Sequence, residues 1–286
     1  AFNQSRTNTD FKIDLELIDP LGPDVTPPEV ESIVPPPGTT VRRADRIEVY
    51  FSEDVTGIDA GDLLLGGTPA TGLQGSGRGP YVFSFQAPAS GPVEVRWAEG
   101  HGIADFAPLP NAFRGGAWSY AIDPAARPAA IAISELAALN RASSVPVVKD
   151  EDGEYPDWIE IHNRGSTAAN LAGWSLTDDP DEPGKWTFPP LELDPGARLV
   201  VFASGKDRRS ALDRNLHTSF QLSADGEYLG LFIPESPRVA ATEFAPRYPE
   251  QRLGASYGID DERNVGYFAP PTPGAPNGLV VSPLAF

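Results

Sequence analysis

The densest chemistry in this 286-residue chain is an acidic loop, Asp150-Glu151-Asp152-Gly153-Glu154-Tyr155-Pro156-Asp157. Carboxylates at alternating positions, with a glycine for the bend, suit a hard cation that takes six to eight oxygen ligands. The helical calcium-loop pattern also needs a third alternating Asp or Asn and a Glu at its twelfth position. Glu154 stands in the third slot and His162 near the twelfth, so that pattern fails. A looser calcium site remains open, built from Asp150, Asp152 and Asp157 with Asp178, Asp179 and Asp181. Between Asp150 and Glu182 there are ten acids and one base, Arg164, and such crowding repels itself unless something neutralises it. Two plainer readings stand beside the metal. The loop is a solvated turn rich in Asp and Gly, or the basic segment Lys206-Asp207-Arg208-Arg209 with Arg214 folds back onto it.

Other chemistry is weaker. His101, His162 and His217 have no second His or Cys at zinc-ligand spacing. His217 and Ser219 suggest a hydrolytic triad, but Leu216-His217-Thr218-Ser219-Phe220 lacks the Gly-x-Ser-x-Gly elbow such a nucleophile needs. Acids are too abundant for any glycosidase pair to stand out. Trp97, Trp118, Trp158, Trp174 and Trp186 lie mostly in alternating segments, where a large ring is expected to fill a core. Exposed and coplanar, Trp174 and Trp186 would instead favour sugar binding. No catalytic residue and no cofactor other than calcium is expected.

The elements that must carry these groups are strands. The 31 prolines and 28 glycines are spread along the whole chain and leave room mainly for short extended segments. Hydrophobic residues make up 40%, enough for a folded core, and the length suits about two domains. A net charge of −18 disfavours nucleic acid and anionic membrane surfaces. No run is long enough to insert in a membrane as a helix. There are no cysteines and no methionines, and Ala1 to Asp10 is polar. The expected reading is an internal or processed piece whose targeting signal lies upstream.

Phe11 to Ile18 alternates apolar and charged residues, as a half-buried strand does. It is either the last strand of a preceding domain or an extra strand of the first one. After a proline-rich stretch, strands are expected at Val30–Val34, Arg46–Phe51, 70–73, 81–85, 93–97 and Ala117–Ile122. Asp123 to Ala130 reads as a semi-rigid Pro/Ala linker holding two domains apart. Beyond it, strands are expected at 131–136, Asp157–Asn163, 171–176, 185–188, 191–193, Arg198–Ala203, 220–222 and 228–232. Ala269 to Gly278 is irregular and is expected to lie against the sandwich.

Two resemblances follow from these residues. Thr26-Pro27-Pro28, Pro35-Pro36-Pro37-Gly38 and Ile47-Glu48-Val49-Tyr50-Phe51-Ser52-Glu53-Asp54-Val55 resemble the bacterial Ig-like family that spaces modules of large surface proteins. Further on, Trp158-Ile159-Glu160-Ile161 precedes a turn, and Leu171, Gly173-Trp174 and Leu176 follow. Lys185-Trp186, a Pro-Gly turn before Leu199-Val200-Val201-Phe202, and Leu222-Ser223 with Gly226-Glu227-Tyr228-Leu229 continue the series. It closes on Thr272-Pro273-Gly274-Ala275-Pro276-Asn277-Gly278, and the whole resembles the lamin tail domain, with His162 where a tyrosine is common.

Together they imply an all-β chain of two Ig-like sandwiches in tandem. The expected parts are residues 1–24 (preceding strand and linker), 25–123, linker 124–130, 131–278 and an extension 279–286. The resemblance implies a non-catalytic adhesive or spacer region of a larger secreted or cell-surface bacterial protein, contacting protein or glycan. The alternative is a carbohydrate-binding accessory of an extracellular enzyme.

Overall fold

Arg46–Phe51 alternates Ile47, Val49 and Phe51 with Arg46, Glu48 and Tyr50, and that alternation decides which way each side chain points. The first three are completely buried. In this computed structural model, residues 24–210 and 215–282 are described. The strand expected at Phe11 to Ile18, Arg214, and residues 283–286 lie outside them.

The fold is β throughout, with one 3-10 turn, Ala60–Asp62, among the described residues. Residues 30–122 form two sheets. One runs Val30–Val34, Arg46–Phe51, Tyr81–Ser84, Gly72–Gln74; the other runs Thr40–Val41, Ala117–Ile122, Gly91–Trp97, Leu63–Leu65, Thr68–Pro69. A core of Ile47, Phe51, Leu63, Phe83, Val95 and Trp97 lies between them. Phe51 meets Tyr81 and Phe113 edge-on at 5.8 and 5.3 Å between ring centres, an arrangement that aromatic quadrupoles favour.

Residues 131–268 build a second core around Ile133, Ile159, Leu171, Trp174, Trp186 and Leu231. Its larger sheet has six strands in the order Leu216–His217, Arg198–Ala203, Asp157–Asn163, Ile131–Ala137, Ser256–Ile259, Val265–Phe268. Facing it are Trp186–Thr187, Ser175–Thr177, Leu229–Ile233 and Val239–Phe244, with Ala169–Asn170 paired to Glu192–Leu193 at the side.

The central strand Asp157–Asn163 is buried on nearly every residue, not on alternate ones. Its core face carries Ile159 and Ile161. Its other face is covered too: Trp158 packs with Ala137, Phe202 and Val148 under the loop that follows Ala137. Glu160 lies beneath the segment 272–277, which behaves as a strap. Thr272 N–H donates to Glu135 at 2.9 Å, Gly274 N–H to Glu160 at 2.6 Å, and Asn277 Nδ2 to Ser134 O at 2.9 Å. The irregular tail expected to lie against the sandwich does so through two buried carboxylates.

Beside the segment expected as a linker, side chains of the two regions meet. Arg42 forms a two-pronged ion pair with Glu235, at 2.7 and 2.6 Å. Arg238, nearly enclosed, donates to Gly173 O at 2.9 Å and Ser175 Oγ at 3.0 Å and reaches Glu48 at 3.3 Å. Arg42 and Glu48 on one side thus pair with Glu235 and Arg238 in the turn after Leu229–Ile233 on the other.

Candidate binding site at the acidic loop

Asp150 organises its own loop before it meets anything else. Its carboxylate accepts the N–H groups of Asp152 at 3.0 Å and Glu154 at 2.8 Å, and Gly153 supplies the left-handed turn at φ +81°. This curls Asp150, Asp152 and Glu154 until their oxygens lie within 4.8 Å of one another.

Lys206 enters that ring. The strand Arg198–Ala203 ends at Ser204-Gly205, where Gly205 turns the chain at φ +76° and aims Lys206 at the loop. Its ammonium stands 2.5 Å from Asp150, 2.6 Å from Asp152 and 2.8 Å from Glu154. Arg208 adds ion pairs to Glu151 and, at 2.8 Å, to Asp152. Burial pulls the Lys206 pKa down, but the three carboxylates outweigh it and hold the ammonium above its usual range. Burial raises Asp150, yet Lys206 and the loop N–H groups leave it below the ordinary value.

The six carboxylates suggested for calcium are therefore divided. Asp150 and Asp152 come together, with Glu154 as the third member. Asp157 lines a neighbouring recess, and Asp178 pairs with Lys185 at 2.6 Å. Asp179 shapes a turn by accepting the N–H of Asp181 at 2.9 Å. The basic segment divides as well: Lys206 and Arg208 reach the acids, while Arg209 turns to Asp207.

Behind the ring lies an alignment with no local signature in the sequence. Ser204 Oγ is 2.8 Å from His217 Nδ1, and His217 Nε2 is 3.1 Å from both oxygens of Glu151. The parallel pairing of Val201 and Phe202 with Leu216 and His217 creates it. His217 is fully buried, with Phe202 at 5.3 Å between ring centres. Ser, His and Glu in line have the order of a hydrolytic triad. The surroundings do not match one. The N–H after a nucleophile must be free for an oxyanion, whereas Gly205 N–H donates to Phe220 O at 3.1 Å. Lys206 N–H donates to Ser204 Oγ itself at 3.2 Å. Burial raises Glu151, but Asn215, His217 and Arg208 bind its carboxylate and hold it well below the usual range, so its oxygens are shared with Asn215 and Arg208 as well as the imidazole. The alignment ties three segments together.

In front of Ser204 opens a recess of about 360 Å³, lined by Arg141, Glu154, Tyr155, Asp157, Ser204 and Gln221. Burial pushes the Asp157 carboxyl up to about 6; a long 3.4 Å bond from Asn140 N–H offsets this only partly.

The remaining candidates are separate. His101 packs beside Trp97 and Phe113 in the first core. His162 lies 3.5 Å from Asp261, and burial lowers its pKa. Trp97, Trp158, Trp174 and Trp186 are buried and Trp118 is half-buried, so none of the first four is a sugar platform. A second carboxylate group, Asp24, Glu53 and Asp105, escaped sequence reasoning because its members are far apart in the chain.

Residues 124–243 match the lamin tail domain. No curated protein and no solved structure matches the chain. The lamin tail domain is a non-catalytic Ig-like module, and the match spans the acidic loop, Lys206 and His217 together. It begins inside the expected linker and ends before Ser256–Ile259, Val265–Phe268 and the strap, although these complete the same sheet.

Proposed function

We propose that this chain is a structural and interaction region, adhesive or spacing, of a larger secreted or cell-surface bacterial protein, without catalysis of its own. The observation that carries the reading is the commitment of Gly205 N–H and Glu151 beside Ser204, within a stretch similar to a non-catalytic module. The tryptophans point the same way, because they are spent on the cores. The region of residues 25–123, which resembles a bacterial Ig-like spacer, would set a distance and a heading, and the lamin-tail-like region would present the acidic loop. The ion pairs of Lys206 and Arg208 support internal neutralisation of that loop over calcium. Among the described residues no helix is long and apolar enough to cross a membrane.

The test has two arms. A panel of ester, peptide and glycoside substrates should show no turnover that disappears in Ser204→Ala. Antibody labelling of intact producing cells should find the chain outside the cell. Ser204-dependent hydrolysis, or labelling seen only after lysis, would overturn the proposal. A second reading, a carbohydrate-binding accessory region, is favoured by one feature: the polar recess in front of Ser204.

A further inference from the structure

We propose that the recess between the acidic loop and the 204–222 segment binds one sugar ring of a glycan. The inference rests on the interaction reading above and gives it a site and a ligand class. A pyranose presents hydroxyls that both donate and accept, flanking a weakly apolar ring face. Its binder must therefore bring acceptors, donors and an apolar wall to one small volume.

The recess does so. Asp157 and Glu154 supply carboxylate acceptors, and Arg141 and Gln221 supply donors and an amide oxygen. Tyr155 and Leu222 form the apolar side. Asp157 is bound only by the long Asn140 contact, and Arg141, which is exposed, acts on it through charge without a hydrogen bond among the described residues. Two of the lining groups are held in place from behind. Gln221 Nε2 donates to Ser204 O at 3.1 Å, and Lys206 is fixed by its three carboxylates. A rigid wall loses little freedom when a ligand arrives.

Other ligand classes fit less well. A phosphate or sulfate would face Asp157 and Glu154. A metal ion would face Arg141 and Lys206. An extended peptide seeks a strand edge, and at Ser204 that edge is already bridged by Gln221. A volume of about 360 Å³ lies near the lower end of small-ligand sites, which suits one or two rings and not a long chain.

The experiment screens the full chain on a glycan array spanning neutral and uronic-acid sugars. The methyl glycoside of the best terminal sugar is then titrated while backbone amides are followed by NMR. The expected result is saturable binding in the millimolar range that moves the amides of Arg141, Tyr155 and Gln221. Arg141→Ala and Tyr155→Ala should each weaken it by about ten-fold or more without changing the melting temperature, while the remote Arg96→Ala leaves it unchanged. An array with no binding, a titration that moves other amides, or affinity that survives both recess variants would overturn the proposal. Displacement of the sugar is not needed to see a peptide site: an acidic peptide that moves these amides when no glycan does would also overturn it. Failure here leaves the non-catalytic reading intact, whereas Ser204-dependent turnover removes that reading and not this one.

Discussion

Glu135 and Glu160 face each other directly across two neighbouring strands, both fully buried, yet among the described residues only Glu160 has a cation, Arg198 at 2.9 Å. A bulge at Ser134 makes the pair workable by sending the Ser134 hydroxyl to Glu160 at 2.6 Å. Glu135 instead leans on Ser256 and Thr272, and burial pushes its carboxyl up to about 7. Two like charges side by side in low dielectric are avoided by keeping one of them protonated.

A pH dependence follows. The folded pKa of Glu135 lies above its unfolded value, so its contribution is complete below the unfolded value and is lost as pH rises through about 7. Asp157, pushed up to about 6, acts in the same direction. Urea unfolding should give lower stability at about pH 8 than at about pH 5, by at most about 3 kcal/mol from Glu135. Glu135→Gln should remove much of this slope and exceed the native chain in stability at the alkaline end. An unchanged slope in the variant would contradict the assignment.

Removing Lys206 should uncover the loop. In Lys206→Ala, Asp150, Asp152 and Glu154 keep their mutual approach and lose their ammonium, so the melting temperature should fall by a few degrees. Millimolar calcium should restore most of that loss in the variant and do much less for the native chain. Calorimetry with calcium and with a chelator decides it. Equal calcium responses in both proteins would show that Lys206 is not what fills the ring.

Acid acts on this loop in the opposite sense. Asp150 and Glu151 are held below their unfolded values, so the stability they add is present above those values and lost as pH falls through the lowered ones. In Lys206→Ala the acid-side decline should therefore soften. An acid limb unchanged by the substitution would place the effect elsewhere.

The contact between the cores can be tested with two arginines. Arg238 has a side chain only 3% exposed and holds Glu48 across the contact as well as Gly173 O and Ser175 Oγ in its own region, so Arg238→Ala should cost about 2–4 kcal/mol. Arg42 is 36% exposed, and Arg42→Ala should cost within about 1 kcal/mol despite its shorter bonds. Small-angle scattering should show a broader distribution of shapes for Arg238→Ala. A larger loss for Arg42→Ala would reverse the ranking.

Gly226 tests the second core. Its φ is +87°, and an added methyl carbon would lie 2.1 Å from Tyr248 O. Gly226→Ala must move the backbone that carries Tyr248, a fully buried ring, and should cost about 2–4 kcal/mol in chemical denaturation. A change within about half a kcal/mol would mean the turn relaxes freely.

Alternation made much of this fold legible. Arg46–Phe51, Ala117–Ile122, Asp157–Asn163 and Arg198–Ala203 are strands over the spans the pattern gives. Leu63–Leu65 was hidden because three leucines in a row have no period, although Gly66 and Gly67, at φ +57° and +81°, turn it back onto Thr68–Pro69. Phe220 to Leu222 looked like a strand, yet only Gln221 bridges a neighbour, while Leu216–His217 takes the pairing instead. Val239–Phe244, Ser256–Ile259 and Val265–Phe268 went unread. The first carries Thr242 and Glu243 on an edge, where propensity matters less than the neighbour it joins.

The site was half legible. Ten crowded acids announce that something must neutralise them, and Lys206 and Arg208 were the nearest dense cations. The line from Ser204 through His217 to Glu151 could not be read, because it needs a parallel pairing between distant segments. The recess was illegible for a like reason: Gln221 reaches it through a bridge to Ser204, and Arg141, Asp157 and Gln221 share no local pattern.

A gene fragment ended where the family match ends would stop at Glu243. It would leave Glu135 and Glu160 without their roof and Ile131–Ala137 without its neighbour Ser256–Ile259. That product would offer an unprotected strand edge to other copies of itself and should precipitate. Recombinant pieces meant for ligand work need to extend through Asn277.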